Sequence, residues 1–181
     1  MSQRILFTVG HSTRTWREFA SLLRAWNIQE LVDVRTIPRS RMLPWFEKAR
    51  LQQALPKIKI AYTHLPALGG LRYSKKASVN AAWHNSSFRA YADYMQTEAF
   101  EQGLKELNRR RRLHRVCVMC SEALWWRCHR RLIADAEVIR GIPVRHIMTH
   151  RSAGAHTLTT FARVRGKHTR KPVITYPASR G

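Results

Sequence analysis

The chain has 181 residues, 44% of them hydrophobic, which is enough for one domain with one buried core. It carries 33 Lys and Arg against 11 Asp and Glu, giving a formal net charge of +22 and a pI near 11.4. No apolar run approaches the roughly 20 residues of a membrane span, and the hydrophobic content excludes a disordered chain. The charge predicts a polyanionic partner such as DNA or RNA; an Arg-rich surface without that role is the alternative.

The cysteine count and the N-terminal residues indicate the compartment. Three cysteines, two of them close together, do not form the framework of a secreted disulfide-rich protein. Residues 1–11 contain no long apolar segment of the kind found in signal peptides, and they lead directly into a strand. We therefore expect a cytoplasmic protein with no membrane partner.

The first half of the chain alternates apolar strands with amphipathic helices. Ile5–Val9 has the composition of a compact strand. Apolar residues at helical spacing predict a helix over Trp16–Trp26, capped by Thr13 or Thr15 and stopped by Asn27. A second strand, a short helix and a third strand are predicted at Leu31–Arg35, Trp45–Leu55 and Ile58–Leu65.

The second half continues this alternation. Helical patterns cover residues 88–95 and 100–107, with Thr97 as the cap between them. The second helix ends in Asn108 and the run Arg109–Arg112, whose positive charge complements a helix C-terminus. The next strand, helix and strand are predicted at Val116–Met119, Arg130–Arg140 and Val144–Met148. From residue 150 onward the chain is basic with little periodicity.

The order of these elements predicts an α/β fold with one mostly parallel sheet of about five strands and helices on both faces. We expect this domain over residues 1–149 and a basic, flexible tail over residues 150–181. In such a sheet the carboxyl ends of the strands meet at one edge, where α/β proteins bind ligands. The predicted loops at that edge include residues 10–13, 33–36, 65–71 and 120–122.

Residues 115–131 contain the densest group of reactive side chains. Cys120 lies where a strand ends, and Glu122, Cys128 and His129 follow within ten residues. Surrounding arginines favour the nucleophilic or metal-binding thiolate form of cysteine. Cys120, Glu122 and His129 are therefore candidate catalytic residues, with Glu122 as a general acid or base whose proton affinity rises on partial burial. The alternatives are a small buried Cys120 and an ion pair between Glu122 and a neighbouring arginine.

The same cysteines allow two other interpretations. Cys120, Cys128 and His129, together with His11, form a Cys/His set that suits zinc, although the spacing matches no standard zinc-finger pattern. Cys120 and Cys128 can equally form a redox pair. The cofactor is therefore left open, with zinc as one candidate. Cys117 is expected to belong to the core because it lies inside the strand.

Further candidate ligand-binding residues lie at the same predicted edge. His11, between Gly10 and Ser12, is a candidate catalytic proton shuttle or anion contact. Asp33 either contacts a ligand or holds Arg35 in place. The other candidates for ligand binding are Arg39, Arg41, His64, Gly69, Gly70, Cys128 and Arg130. The glycine pair in this list predicts either a phosphate cradle or a turn.

A separate set of basic and aromatic side chains suits a nucleic-acid surface. These residues are Arg72, Lys75, Lys76, Arg109, Arg110, Arg111, Arg112, Trp125 and Trp126. The cations would contact phosphates, and the aromatic rings would stack on bases. No helix-turn-helix, zinc-finger or RNA-recognition signature accompanies them, so we expect electrostatic, salt-sensitive binding.

Several segments resemble one protein family when taken in order. They are Thr-Val-Gly-His-Ser-Thr-Arg at 8–14, Leu-Val-Asp-Val-Arg at 31–35, Pro-Arg-Ser-Arg at 38–41, His-Leu-Pro-Ala-Leu-Gly-Gly at 64–70, Tyr-Ala-Asp-Tyr-Met at 91–95, Met-Cys-Ser-Glu at 119–122 and Cys-His-Arg at 128–130. Over residues 5–148 the chain resembles domain-of-unknown-function family 488. The resemblance implies no activity, because the function of that family is not established.

The chain also departs from the family pattern. Leu-Pro-Trp-Phe-Glu at 43–47 stands where members usually carry an Asn-Pro-x-Phe-Asn-like segment, so any ligand contact by those asparagines is lost or altered. Two tryptophans at 125–126 replace one aromatic residue at most. A weaker similarity is to the rhodanese plan, in which a loop cysteine accepts sulfur. However, Glu122 and the two tryptophans follow Cys120 in place of a short Gly-containing loop.

The first hypothesis is an enzyme that acts on a nucleic acid or nucleotide through a pocket of Cys, Glu, His and Arg residues. The second is a non-catalytic module that binds nucleic acid or, through its Cys/His cluster, a metal. The third is rhodanese-like sulfur transfer through Cys120.

Overall fold

The computed structural model describes residues 5–73, 75, 77–167 and 171–178. Its centre is a six-stranded sheet with strand order β3-β2-β4-β1-β5-β6. The strands are β1 Leu6–Gly10, β2 Glu30–Asp33, β3 Ala61–His64, β4 Val116–Cys120, β5 Val144–Ile147 and β6 Ala153–Ala155. The first five are parallel to their neighbours and only β6 pairs antiparallel, which confirms the predicted mostly parallel α/β sheet.

Helices cover both faces of this sheet. They are α1 Trp16–Ala25, α2 Lys48–Lys57, α3 Ser86–Tyr94, α4 Glu98–Leu113 and α5 Arg130–Val138. Apolar residues of α1 and α2 pack in one core cluster, whereas those of α3, α4 and α5 pack in a second. Strand β4 contributes to both because side chains alternate along a strand: Cys117 and Met119 belong to the first cluster, and Val118 and Cys120 to the second.

Local capping explains where two helices begin. The Thr15 hydroxyl accepts a hydrogen bond from Glu18 N, and the Glu18 carboxylate accepts one from Thr15 N at 2.7 Å. This reciprocal capping box selects Thr15 over Thr13 as the start of α1. Thr97 caps α4 through Phe100 N, as its position predicted.

Helix α4 ends with the arginine run as predicted, and Arg109 and Arg110 both bind Glu106 one turn earlier. The third strand is shorter than predicted. Strand β3 begins only at Ala61, because α2 extends to Lys57 and a turn with Lys59 at φ 60° follows it.

The C-terminal segment also contains more structure than the predicted tail. Besides β6, it forms an antiparallel hairpin of β7 Arg163–Arg165 and β8 Val173–Thr175. Ile174 and Tyr176 are buried in the core cluster that α4 and α5 line. The described part of this segment therefore packs against the same domain.

The described helices include none that is both long and apolar enough to cross a membrane.

Candidate functional site: a buried pair of thiols

Two cysteines meet at the carboxyl edge of the sheet. Cys120 is the last residue of β4, and Cys128 lies two residues before α5. Their Sγ atoms are 2.8 Å apart, and both residues are free cysteines with little solvent exposure. At this distance one thiol donates a hydrogen bond to the other sulfur. The predicted association of Cys120 and Cys128 is therefore present in the structure as a hydrogen-bonded dithiol.

The surroundings of the two sulfurs favour a thiolate on Cys128. Burial is the largest single influence and opposes that charge. The hydrogen bond from Cys120, the charge of a protonated His129 and the nearby Arg130 outweigh burial, and hold the pKa of Cys128 well below its usual range. Burial raises the pKa of Cys120, and its role as donor to Cys128 raises it further. Sequence position had favoured Cys120 as the nucleophile, whereas the electrostatics favour Cys128.

His129 is held beside the thiolate by contacts with distant segments. Its Nε2 donates to the Val34 carbonyl oxygen at 3.2 Å, which leaves Nδ1 at 3.5 Å from the Cys128 sulfur. The imidazole fits because Gly70 has no side chain: a Cβ there would lie 2.5 Å from Nδ1. The glycine pair thus has a packing role that the sequence did not predict.

Arg130 is a buried cation, 1% exposed. Its Nη2 donates to the carbonyl oxygens of Glu122 and Ala123, and its Nη1 lies 3.4 Å from Thr8 Oγ1. Within the described part of the chain, no carboxylate lies at salt-bridge distance from this guanidinium. Burial opposes its charge, but negative charge on the two cysteine sulfurs raises the pKa of Arg130. The cation is therefore balanced by the thiol pair.

A cavity of about 390 Å³ opens over the dithiol. Cys120 and Cys128 border it, together with three cationic side chains from two loops: Arg35 and Arg39 after β2, and Arg127 after β4. The loops after β1, β2 and β4 do converge, since His11 N and Ser12 N donate to the carbonyl oxygens of Cys120 and Ser121 at 3.0 and 2.9 Å. The result is a cation-rich pocket with two sulfur atoms at its border.

Asp33 acts on this pocket through Arg35. Its carboxylate accepts two hydrogen bonds from the Arg35 guanidinium, at 2.9 and 2.6 Å, and one from the Tyr62 hydroxyl at 2.8 Å. Arg35 also donates to the Phe46 carbonyl oxygen. Of the two predicted roles for Asp33, holding Arg35 in place is the one that these contacts fulfil.

His11 lies beneath the pocket and does not border it. Its ring stacks on Phe46 with centroids 4.0 Å apart, and its Nδ1 donates to the Ser12 carbonyl oxygen. Burial lowers the pKa of His11 to about 4, so the ring is neutral at pH 7. Gly10 has no room for a side chain, because a Cβ would lie 1.8 Å from the Glu122 carbonyl oxygen. These residues build the loop contact that positions residues 120–122.

Glu122 borders the cavity but is exposed, and its carboxylate accepts a hydrogen bond from Leu124 N at 3.2 Å. Arg130 contacts the carbonyl oxygen of Glu122 and not its carboxylate. The expected partial burial is therefore absent, and so is the expected ion pair within the described residues. A general acid or base at Glu122 was expected to be partly buried, and a structural Glu122 was expected to pair with an arginine. The described residues show neither environment.

The other predicted ligand residues have mixed positions. His64 Nε2 donates to the Arg35 carbonyl oxygen at 2.9 Å, and Gly69 gives space to the Thr36 hydroxyl. The N–H of Gly69 is already bound to the Pro66 carbonyl oxygen, which leaves it no donor for a phosphate. Arg41 is exposed and does not border the cavity.

Several of the predicted nucleic-acid residues make contacts within the protein. Arg109 and Arg110 bind Glu106, and Arg110 also binds Glu30. Arg111 is buried against Asn108, whereas Arg112 is exposed.

The rest of that set has varied environments. Arg72 stacks on the Tyr94 ring, 3.6 Å from its centroid. Trp125 stacks on a buried histidine, Trp126 is 44% exposed and Lys75 is exposed. Lys76 lies outside the described residues.

Donor geometry bears on the zinc interpretation. Among the described residues no group of three or more His, Cys, Asp or Glu is arranged to hold a metal ion. Two thiolates on one zinc lie about 3.8 Å apart, from Zn–S bonds of about 2.3 Å at tetrahedral angles. The Cys120 and Cys128 sulfurs, 2.8 Å apart, are too close for that arrangement.

The polar residues around Arg130 could not be predicted from local sequence patterns. Thr8, His146, His156 and Asp135 form a buried hydrogen-bonded chain there. They belong to segments as far apart as β1 and the residues after β6. No local motif connects them.

Fold and site together define a mostly parallel α/β protein with a buried dithiol and a cation-rich pocket at the carboxyl edge of its sheet. The family model described as "Domain of unknown function DUF488" matches residues 15–137, which is more than half of the chain. The chain therefore belongs to that family. No curated protein and no solved structure gives a significant match.

Proposed function

We propose that this protein is a cysteine-dependent enzyme that acts on a nucleic acid or nucleotide, with the Cys128 thiolate as its nucleophile. The observation that carries the proposal is the buried Arg130 guanidinium, whose charge is balanced by the thiol pair and by no carboxylate in the described chain. An unbalanced buried cation is costly, so a thiolate beside it is favoured. Such a thiolate is an activated nucleophile.

The neighbouring groups have distinct roles in this proposal. Cys120 donates its S–H to the Cys128 sulfur and stabilises the negative charge. His129 lies with Nδ1 at 3.5 Å from that sulfur, where an imidazolium can both pair with the thiolate and supply a proton. In the chemical step, the Cys128 sulfur forms a bond to an electrophilic substrate atom. The leaving group departs with its electron pair and takes the proton from His129.

The pocket lining supports an anionic substrate. Arg35 and Arg39 of the loop after β2, and Arg127 of the loop after β4, border the cavity next to the thiols. Guanidinium groups match phosphate geometry, and a cavity of about 390 Å³ lies in the usual range for small-molecule sites. Phe88 also borders the cavity and offers an apolar ring for a base.

The proposal is tested by alkylation of the folded protein with iodoacetamide between pH 5 and 9, followed by peptide mass spectrometry. Cys128 should react at pH 6 at a rate close to its rate at pH 9, because only the thiolate reacts. Cys120→Ala should move the midpoint of that profile to higher pH by removing the hydrogen-bond donor. Cys117→Ser serves as the control, since Cys117 lies fully buried inside β4 and should contribute no label.

The substrate class is tested in the same assay. AMP or a short oligonucleotide should slow alkylation of Cys128, whereas uncharged adenosine should not. A Cys128 profile with its midpoint at pH 8.5 or above, the ordinary thiol range of about 8–9, would contradict the nucleophile assignment. Equal rates with and without nucleotide would contradict the substrate assignment alone.

The short distance between the sulfurs favours one second candidate, sulfur transfer. The Cys128 thiolate would attack the outer sulfur of thiosulfate, forming a Cys128 persulfide and releasing sulfite. Cys120, 2.8 Å away, could then attack the inner sulfur to form a disulfide and release hydrosulfide. Sulfur-labelled thiosulfate distinguishes the candidates, because transfer requires labelled sulfur on Cys128 or in hydrosulfide, and neither is expected for a nucleotide-specific enzyme.

A further inference from the structure

A continuous series of buried polar side chains leads from Arg130, the first residue of α5, through β1, β5 and the segment after β6 to Asp135 in the same helix. Arg130 Nη1 lies 3.4 Å from Thr8 Oγ1, which lies 2.7 Å from His146 Nδ1. His146 Nε2 is 3.0 Å from His156 Nδ1, and His156 Nε2 is 2.8 Å from Asp135 Oδ1. Every one of these side chains is nearly or fully inaccessible to solvent. These hydrogen-bonded side chains have no part in the chemical step proposed above.

The chemistry of its two ends allows one consistent set of directions with neutral imidazole rings. At one end Arg130 can only donate, so the Thr8 hydroxyl accepts from it. At the other end the Asp135 carboxylate accepts from His156 Nε2, and His156 Nδ1 accepts from His146 Nε2. His146 Nδ1 is then the acceptor for the Thr8 hydroxyl. Burial lowers the pKa of His146 to about 2, which keeps this histidine in the neutral form that the chain requires.

Asp135 is a fixed acceptor at the far end. Its carboxylate also accepts from the Tyr176 hydroxyl at 2.8 Å and from Thr159 N at 3.0 Å. Both partners belong to the C-terminal segment, as does His156. That segment is therefore connected by hydrogen bonds to the cation of the thiol site.

Trp125 covers one side of this series of hydrogen-bonded residues. The Trp125 ring lies parallel to the His146 ring, with centroids 4.1 Å apart and an interplanar angle of 4°. Trp125 belongs to the loop between Cys120 and Cys128. This stacking favours the ring orientation in which His146 Nδ1 meets the Thr8 hydroxyl.

We propose that Thr8, His146 and His156 are positioning residues that hold the Arg130 guanidinium against the two cysteine sulfurs and thereby keep Cys128 ionised. This inference rests on the proposed function, because it assigns the chain a role in activating the same nucleophile. Arg130 has few other anchors: its Nη2 is bound to two carbonyl oxygens, and its buried Nε has no hydrogen-bond partner among the described residues. Loss of the Thr8 hydroxyl would leave Nη1 without an acceptor as well.

The charged and titratable groups that face Arg130 come from several elements. They are Arg14 before α1, Cys117 and Cys120 on β4, Cys128 before α5 and His146 on β5, and burial raises the pKa of Cys117 so that it stays neutral. Arg14 and a neutral His146 cannot balance the cation. A displaced guanidinium would therefore act chiefly on the ionisation of the two thiols.

The test compares Thr8→Val, which removes the hydroxyl at nearly constant volume, with Thr8→Ser, which retains it. The measured quantity is the pH profile of Cys128 alkylation by iodoacetamide. Thr8→Val should move the midpoint of this profile to higher pH by about one pH unit, equivalent to a tenfold weaker acid, while the rate at pH 9 stays unchanged. Thr8→Ser should reproduce the wild-type pH profile of Cys128 alkylation.

A purely structural role of Thr8 would change the melting temperature without moving this profile. Superimposable profiles for Thr8→Val and the wild type would therefore overturn the inference, even if the variant were less stable. If Thr8→Val does not fold, Thr8→Ala removes the same hydroxyl without adding bulk and must show the same shift. Absence of low-pH reactivity in the wild-type protein would instead refute the proposed function, so the two failures remain distinguishable.

Discussion

Glu137 provides a quantitative test of how burial controls ionisation in this domain. The residue is fully inaccessible, and both of its carboxylate oxygens accept from Asn108 Nδ2 at 3.0 Å. Burial raises the pKa of Glu137 from 4.5 to about 7, against the opposing effects of Asn108, Arg140 and Arg111. The folded state thus holds a proton that the unfolded chain has already released, and stability falls as pH rises from about 4.5 to about 7.

The magnitude follows from the change in proton affinity. A rise of the pKa from 4.5 to about 7 corresponds to a free energy of about 3 kcal/mol, because each tenfold change in proton affinity is worth about 1.4 kcal/mol. Glu137→Gln keeps the shape and an oxygen acceptor for Asn108 but has no proton to lose. The stability of this variant relative to wild type should therefore improve by roughly 2–3 kcal/mol between pH 5 and pH 8.

Urea denaturation at the two pH values measures this difference directly. Glu122→Gln is the matched control, because Glu122 is exposed and its replacement should leave the pH dependence of the wild type intact. If wild type and Glu137→Gln lose stability in parallel over this range, the carboxyl group is charged in the folded state and the argument from burial is wrong.

Three further predictions concern the pocket and its support. Gly70→Ala places a Cβ 2.5 Å from His129 Nδ1, so it should displace that ring and move the alkylation midpoint of Cys128 to higher pH; an unchanged midpoint would show that the contact is irrelevant. Burial lowers the pKa of His11 from 6.5 to about 4, so the folded protein should lose stability as pH falls from 6.5 to about 4. His11→Phe has no ring to protonate, and between pH 7 and 4.5 its free energy of unfolding should fall by roughly 2 kcal/mol less than that of the wild type. Arg127→Gln should weaken protection of Cys128 by AMP and reduce its salt dependence, and equal protection at all salt concentrations would exclude Arg127 as a phosphate contact.

Much of the sheet and its helices could be predicted because the relevant signals are local. The capping box at Thr15 and the helical spacing from Trp16 onward specify α1 without help from the rest of the chain. Strand β4 could be recognised from its apolar residues alone, and the end of that strand placed Cys120 at the ligand-binding edge. The order of strands and helices then required a mostly parallel sheet.

The C-terminal segment could not be predicted in the same way. Strands β6, β7 and β8 have three residues each, and β7 is Arg-Val-Arg, so neither length nor alternation distinguishes it from a basic loop. Its attachment depends on single buried contacts, such as the Tyr176 hydroxyl with Asp135 and Gln96 Nε2 with the Ile174 carbonyl oxygen. Those contacts join residues that are 41 and 78 positions apart, and no local pattern indicates them.

The environments of the site residues could not be predicted for a related reason. Sequence proximity made Glu122 and Cys120 a natural acid and nucleophile, but ionisation depends on what packs around each group in three dimensions. Glu122 faces solvent, whereas Cys128 has a donor thiol, an imidazole and a buried guanidinium around it. The imidazole stands there because of Val34 and Gly70, which the sequence does not connect to Cys128.

The formal charge of +22 illustrates how composition can overstate a functional surface. Many arginines support the fold by donating to backbone carbonyl oxygens: Arg14 to Gly10, Arg115 to Trp26 and Arg140 to Ala136. Guanidinium groups suit this task because they offer five donors and remain charged at any working pH. A cation count therefore cannot identify a nucleic-acid site in this chain. The arginines that support an anionic substrate are the few that border the cavity over the dithiol. A phosphate bound to them would lie close to a thiolate.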